Sequence, residues 1–180
     1  MTDQGTAADT RSAKTETGRK DERTGLLERE GKYLTFELAR ENYGLEILKV
    51  REIIGMMDIT AVPQTPAFVK GLINLRGKVI PVVDLRLKFG LPVKEYTERT
   101  AIIVVEIRMA SGPVQMGIVV DTVSEVMNIV GQDIESTPNF GARLKTDYIL
   151  GMAKVKGRVI ILLDIDRVLT DEELTLVSGA

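Results

Sequence analysis

Lys32–Ala39 (KYLTFELA) alternates apolar and polar residues, the period of a half-buried strand. Arg40-Glu41-Asn42 is a short polar turn, and Tyr43–Val50 returns as the partner strand of a hairpin. Val50–Ile54 leads to a third strand through Ile59–Val62, and Pro63 and Pro66 bracket a turn. Ala67–Lys70 reads as one helical turn ending at Gly71, a suitable C-cap residue. Gly71–Arg76 and Lys78–Asp84 form two strands around Gly77, and Leu85–Phe89 is a short helical segment stopped by Gly90 and Pro92. The pattern then restarts. Ala101–Ile107 is nearly all β-branched, Ser111-Gly112-Pro113 turns the chain, and Val114–Val120 and Val123–Ile129 continue as strands. Residues 131–145 are a polar, irregular insertion. Tyr148–Lys154 and Arg158–Leu163 pair around Gly157, and Asp166–Leu176 has the caps and acidic residues of a final helix.

The restart is a repeat. GLINLRGKVIPVVDLRLKF at 71–89 becomes GMAKVKGRVIILLDIDRVL at 151–169, eighty positions later. Gly44, Val50, Glu52 and Ile53 likewise match Gly117, Val123, Glu125 and Val126, and Thr35–Leu38 stands beside Val104–Ile107. The chain is one small all-β unit written twice. Each copy offers about five short strands, enough to curl into a barrel and remove exposed edges. The expected units are about 31–90 and about 100–165, with a helix at about 166–176 and strands of one half able to complete the other. The seam between two such units is where function is expected.

Residues 1–30 hold few large apolar side chains and read as a disordered tail. The chain has 180 residues and no cysteine or histidine. A thiolate nucleophile, a thiolate metal site and the commonest general base are therefore excluded, and no cofactor or metal is expected. Trp is absent, and four Phe and four Tyr leave an aliphatic core. A net charge of −2 gives no long-range attraction to nucleic acid or anionic lipid. No apolar run reaches the length of a membrane span, and the N-terminus lacks a signal-like apolar region. A cytoplasmic location is expected.

Three motifs invite chemistry. Gly71-x5-Gly77-Lys78 resembles a phosphate loop, but its spacing is one residue too long and Val79 stands where Ser or Thr would hold magnesium. Asp84 and Asp164, one per copy, could form an aspartyl-hydrolase dyad; the simpler reading is that each caps the short helix after its strand. A small barrel could also bind nucleic acid, although the sparse aromatics and acidic balance argue against it. Glu52 and Arg76 differ from these. Each sits in a repeated apolar context and has a counterpart, Glu125 or Lys156, in the other copy. Charges beside apolar strand positions suit a protein interface, where they fix register and exclude wrong partners.

YGLEILKVREI, VPQTPAFVKGLINLRGKVIPVVDLRLKF and MGIVVDTVSEV together resemble the CheW family of coupling proteins in bacterial chemotaxis. The most specific piece is Asn74-Leu75-Arg76-Gly77 followed by Pro81 and Asp84-Leu85. The regulatory domain of the kinase CheA and the CheW half of CheV proteins share it, but 180 residues hold neither a kinase core nor a receiver domain. The resemblance runs from about Lys32 to Leu176 and implies two intertwined five-stranded SH3-like barrels. It implies a non-catalytic adaptor joining the CheA regulatory domain to the cytoplasmic tips of methyl-accepting chemoreceptors, recruited to membrane receptor arrays. Carried onto this sequence, the kinase side comprises Glu52, Ile53, Gly71, Asn74, Leu75 and Arg76. The receptor side comprises Glu52, Arg76, Val123 and Val126.

Overall fold

The computed structural model describes Gly25, residues 28–137 and residues 147–178. The expected disordered tail, short of Gly25 and residues 28–30, and positions 138–145 of the insertion lie outside the described residues. The first half contributes β1 (Gly31–Leu38), β2 (Glu41–Glu46), β3 (Val50–Gly55), β4 (Val69–Leu75), β5 (Lys78–Asp84) and the one-turn helix α1 (Leu85–Lys88). The second contributes β6 (Ala101–Met109), β7 (Gly112–Val120), β8 (Thr122–Ile129), β9 (Ile134–Glu135), β10 (Ile149–Val155) and β11 (Arg158–Leu163), then α2 (Ile165–Val168) and α3 (Asp171–Ser178).

Several local expectations shift. The first hairpin turns at Ala39-Arg40, both at positive φ, because Leu38 pairs with Glu41. The second turns at Ala110-Ser111, since Met109 pairs with Gly112. Ala67 and Phe68 form a turn closed by Val69 N–H to Pro66 O (3.0 Å), and Gly71 is a bulge residue inside β4 instead of a helix cap. The expected Ile59–Val62 strand shrinks to a single bridge, Thr60 to Leu72. The final helix is two helices. Buried Leu169 is extended, and Thr170 starts a capping box with Glu173: Glu173 N–H donates to Thr170 Oγ1 (3.2 Å) and Thr170 N–H to Glu173 Oε1 (2.9 Å).

Two sheets form, in the orders β8-β1-β2-β11-β10-β9 and β3-β6-β7-β5-β4. They share one plan: a hairpin from one half of the chain sits between strands of the other half. The expected division near residues 90–100 therefore does not separate the sheets. The corners give the reason. Asp121 alone joins β7 to β8, and Ile47–Lys49 is a single 3-10 turn joining β2 to β3. Within its own sheet β8 would run parallel to β7, and the return would have to recross a nine-residue strand, roughly 30 Å at ~3.3 Å per residue. One residue cannot do that, so the strand crosses into the other sheet.

Each sheet also has to curl. β8 and β9 lie at opposite edges yet are joined by Val130 and a single 3-10 turn, Gly131–Asp133. Flat, those edges would stand about 24 Å apart, beyond the roughly 17 Å that this connection can span. β3 and the Thr60 bridge onto β4 impose the same closure on the other sheet. Identical bulges recur in the two copies, at Val69/Gly71 and at Ile149/Gly151.

Burial follows this plan. Ile102 and Val104 point into one barrel, while Ile103, Val105 and Ile107 on the opposite face of β6 enter a larger core shared by both sheets. That double duty explains the unbroken apolar run of the sequence. The barrel cores are small; one holds Ile73, Ile80 and Val82, the other their counterparts Ala153, Ile160 and Leu162. Gly117 and Gly44 let the exchanged hairpins approach. A Cβ on Gly117 would lie 2.8 Å from Ile102 Cγ2 of its own hairpin and 3.4 Å from Val82 Cγ2 across the seam, and one on Gly44 would lie 3.1 Å from Leu162 Cδ2 across the other.

A carboxylate ties each exchanged hairpin down. Asp121 Oδ2 accepts from Ala39 N–H (2.9 Å) and Arg86 Nη1 (2.6 Å). Asp166 accepts from Arg108 N–H (2.9 Å) and Lys49 Nζ (2.7 Å) at the matching seam. Lys88 also binds both Glu173 oxygens at 2.6 Å, pinning α3.

Three outcomes are expected. Gly71→Ala places a Cβ 2.0 Å from Thr60 O at φ +140°, so urea unfolding should show a loss of about 2–5 kcal/mol from strain and overpacking together. Gly77→Asn, with open space and a turn that asparagine tolerates, should cost under about 1 kcal/mol. Burial opposes Glu173 ionisation, but hydrogen bonds from Lys88 and Thr170 together hold its carboxyl below the ordinary range. This contribution is present above the unfolded glutamate value of about 4.3 and is lost as pH falls through the lower folded value. The protection factors of the α3 amides, corrected for intrinsic exchange, should therefore fall in acid in the parent chain, and Glu173→Gln should remove that part of the pH dependence.

Candidate partner-docking surfaces

The first-unit surface is built on the β4–β5 turn. Arg76 (φ 52°) and Gly77 (φ 83°) are both left-handed, the geometry of a tight two-residue hairpin turn. Asn74 Oδ1 accepts from Gly77 N–H (2.9 Å) and braces it. Leu75 is half-buried against the barrel core. The motif Asn-Leu-Arg-Gly is thus a brace, an anchor and two left-handed positions. Glycine fits the last without strain; arginine at the first costs roughly 1–2 kcal/mol. Lys156-Gly157 repeats the geometry in the second copy, at φ 51° and 76°.

Arg76 reaches across to β3 and grips Glu52 with both guanidinium branches, Nη1 to Oε1 at 2.8 Å and Nη2 to Oε2. The Arg76 side chain is 72% exposed and that of Glu52 29%. Hydrogen bonding from Arg76 holds the Glu52 carboxyl below its ordinary range, and the reciprocal bond raises the guanidinium. Ile53, next to Glu52, is 46% exposed, and Val79, three residues past Arg76, is 62% exposed. The first-unit surface thus combines a closed ion pair with exposed apolar residues on the same strands.

Most sequence-expected residues gather here: Glu52, Ile53, Asn74, Leu75 and Arg76. Gly71 does not. It is buried, and its place is the barrel closure against Thr60. Val123 and Val126 lie on β8, at the edge of the other sheet; Val126 is 51% exposed, while Val123 is half-buried against the shared core. Val79 and its counterpart Val159 were missed, since neither Lys78–Asp84 nor Arg158–Leu163 alternates cleanly. Their signal was position: an apolar residue two places after a turn glycine in both copies.

The other candidates resolve differently. Asp84 Oδ1 accepts from Arg86 N–H (2.9 Å) and caps α1, while Oδ2 accepts from Tyr96 OH (3.0 Å). Asp164 caps α2 through Asp166 N–H (3.1 Å). The two carboxylates cap separate helices and form no dyad. Burial, then the Asp84 charge, raises the Tyr96 phenol above its ordinary value. Phe36, Tyr43, Phe89 and Tyr148 stack in sequence on one another. Among the described residues no helix is long and apolar enough to cross a membrane.

The CheW-like domain model matches residues 32–173, a span that holds both exchanged hairpins and the braced Arg76 turn. The chain belongs to the CheW-like family. It is 41% identical over 147 residues to the chemotaxis protein CheW of Klebsiella aerogenes, covering 82% of this chain and 86% of that one. It is 34% identical over 140 residues to CheW of Rhizobium meliloti, covering 78% and 88%. The crystal structure of the scaffolding protein TtCheW from Thermoanaerobacter tengcongensis superposes with a TM-score of 0.71 at 36% identity, over 80% of this chain and 95% of that one. The CheW-like fold is all-β, and the family makes this chain a non-enzymatic chemotaxis adaptor. The aspartyl-hydrolase alternative is thereby set aside.

NMR titration should place Glu52 below the ordinary glutamate value and return it toward about 4.3 in Arg76→Ala. The thermal midpoint should stay unchanged at neutral pH, because exposed pairs add little to stability.

Proposed function

We propose that this chain couples a CheA-type histidine kinase to methyl-accepting chemoreceptors. The first-unit face, with Glu52, Ile53, Asn74, Leu75 and Arg76, holds the regulatory domain of the kinase, and Gly71 keeps that face in shape. Val123 and Val126 on β8 hold the cytoplasmic tip of the receptor, a helical hairpin, with Glu52 and Arg76 contributing at its margin. The protein works in the cytoplasm and is recruited to receptor arrays at the membrane, without inserting into the bilayer or binding nucleic acid.

One observation carries this reading. Arginine occupies a left-handed turn position that glycine would fill without strain, and its side chain then stands exposed in a bidentate pair with Glu52, on strands that also expose Ile53 and Val79. The pair contributes little to folding, so the backbone strain is accounted for by what the guanidinium presents to a partner. The exposed apolar residues supply buried area, and the charges supply register.

Arg76→Glu tests it. It sets two carboxylates side by side on an otherwise intact surface. Calorimetry against a CheA regulatory domain should show at least about a tenfold loss of affinity, with an unchanged circular dichroism spectrum. Normal binding by the folded variant would remove Arg76 from the docking face.

A further inference from the structure

The two barrels present the same mouth in different states. In the first, Glu52 and Arg76 close over it as an ion pair. In the second, the counterparts Glu125 and Lys156 border an open cleft of about 50 Å³, together with Asn42, Ser124 and Arg158. Among the described residues, neither Lys156 nor Arg158 enters an ion pair, whereas nearby Lys154 is held by Glu135 at 3.0 Å. The cleft wall differs too. Thr35 replaces Val104, and its hydroxyl donates to Glu125 O (2.7 Å) and accepts from Glu125 N–H (3.1 Å). These bonds fix the Glu125 backbone while its side chain stays exposed.

The cleft is far smaller than the roughly 300–1,000 Å³ of a metabolite pocket and suits the tip of one side chain. Two free cations and the neutral Asn42 and Ser124 favour a carboxylate there. Glu125 repels a lone anion, so the occupant has to bring a cation beside its carboxylate. Helix residues three or four apart do this, with their side chains about 5–6 Å apart. We propose that the second barrel's mouth receives an acid–base residue pair one turn apart on the receptor's helical hairpin, its carboxylate between Lys156 and Arg158 and its cation on Glu125. This rests on the receptor reading above, since Val126 follows Glu125 in β8. The first barrel supplies both charges itself and leaves its partner none to supply; the second leaves both to be supplied.

The test is binding of a receptor cytoplasmic fragment to the full chain at low and high salt. Lys156→Glu/Arg158→Glu should weaken binding at least tenfold at low salt and flatten its salt dependence. Affinity for the kinase regulatory domain should stay within twofold, which also reports that the variant is folded. Glu125→Lys should weaken receptor binding as well, because it repels the partner's cation. Receptor affinity within twofold of the parent in the double variant overturns the proposal, as does a loss confined to kinase binding or a tightening in Glu125→Lys. No binding of the fragment by the parent chain overturns the receptor reading itself, and the proposal with it.

Discussion

A corner of one residue governs this molecule. Because only Asp121 separates β7 from β8, a strand that begins in one sheet has to end in the other. The 3-10 turn after β2 does the same for the first copy. Neither barrel core suffices alone; the main hydrophobic core lies between the sheets and draws on both copies. Separate domains joined by a linker would move independently, whereas these share strands, core and hairpins. The ion pairs Arg86–Asp121 and Lys49–Asp166 stand where the exchanged strands leave one sheet for the other. Their side chains are largely withdrawn from water, so each pair counts more as a register device than as a source of net stability.

Much of this was legible in the sequence. The repeat revealed duplication, and the glycines at matched positions marked turns and close approaches. The unbroken β-branched run Ile102–Val105 reflected burial on both faces. What stayed hidden was tertiary. A bulge glycine such as Gly71 and a helix-capping glycine look alike when only the neighbouring residues are visible. The break between Val114–Val120 and Val123–Ile129 was legible, and so was the possibility of exchange, but nothing inside VVDTV says that the second strand joins the other sheet. The split of the final helix was in fact written in Thr170-x-x-Glu173, a capping signature overshadowed by the wider amphipathic pattern.

The candidate docking surfaces were legible in part, for a related reason. Charged residues in an apolar repeat stood out, so Glu52 and Arg76 were found and proved to be neighbours. Val79 and Val159 sit in runs of valine and isoleucine, where nothing local tells an outward side chain from an inward one. Only sheet geometry assigns their direction. Gly71 shows the converse: a residue that belongs to the repeated motif through the backbone path it permits, with no surface of its own.

Strand continuity has a mechanical consequence. A load applied between something seated on β3 and something seated on β8 travels along strands and the ladders beside them: from β3 through the 3-10 turn into β2 and across β1 to β8, or from β8 directly into β7 and across β6 to β3. No hinge lies on that path. The molecule should therefore behave as a stiff strut that fixes the spacing and orientation of whatever it joins, and any switching in such an assembly would have to originate in the bodies at either end.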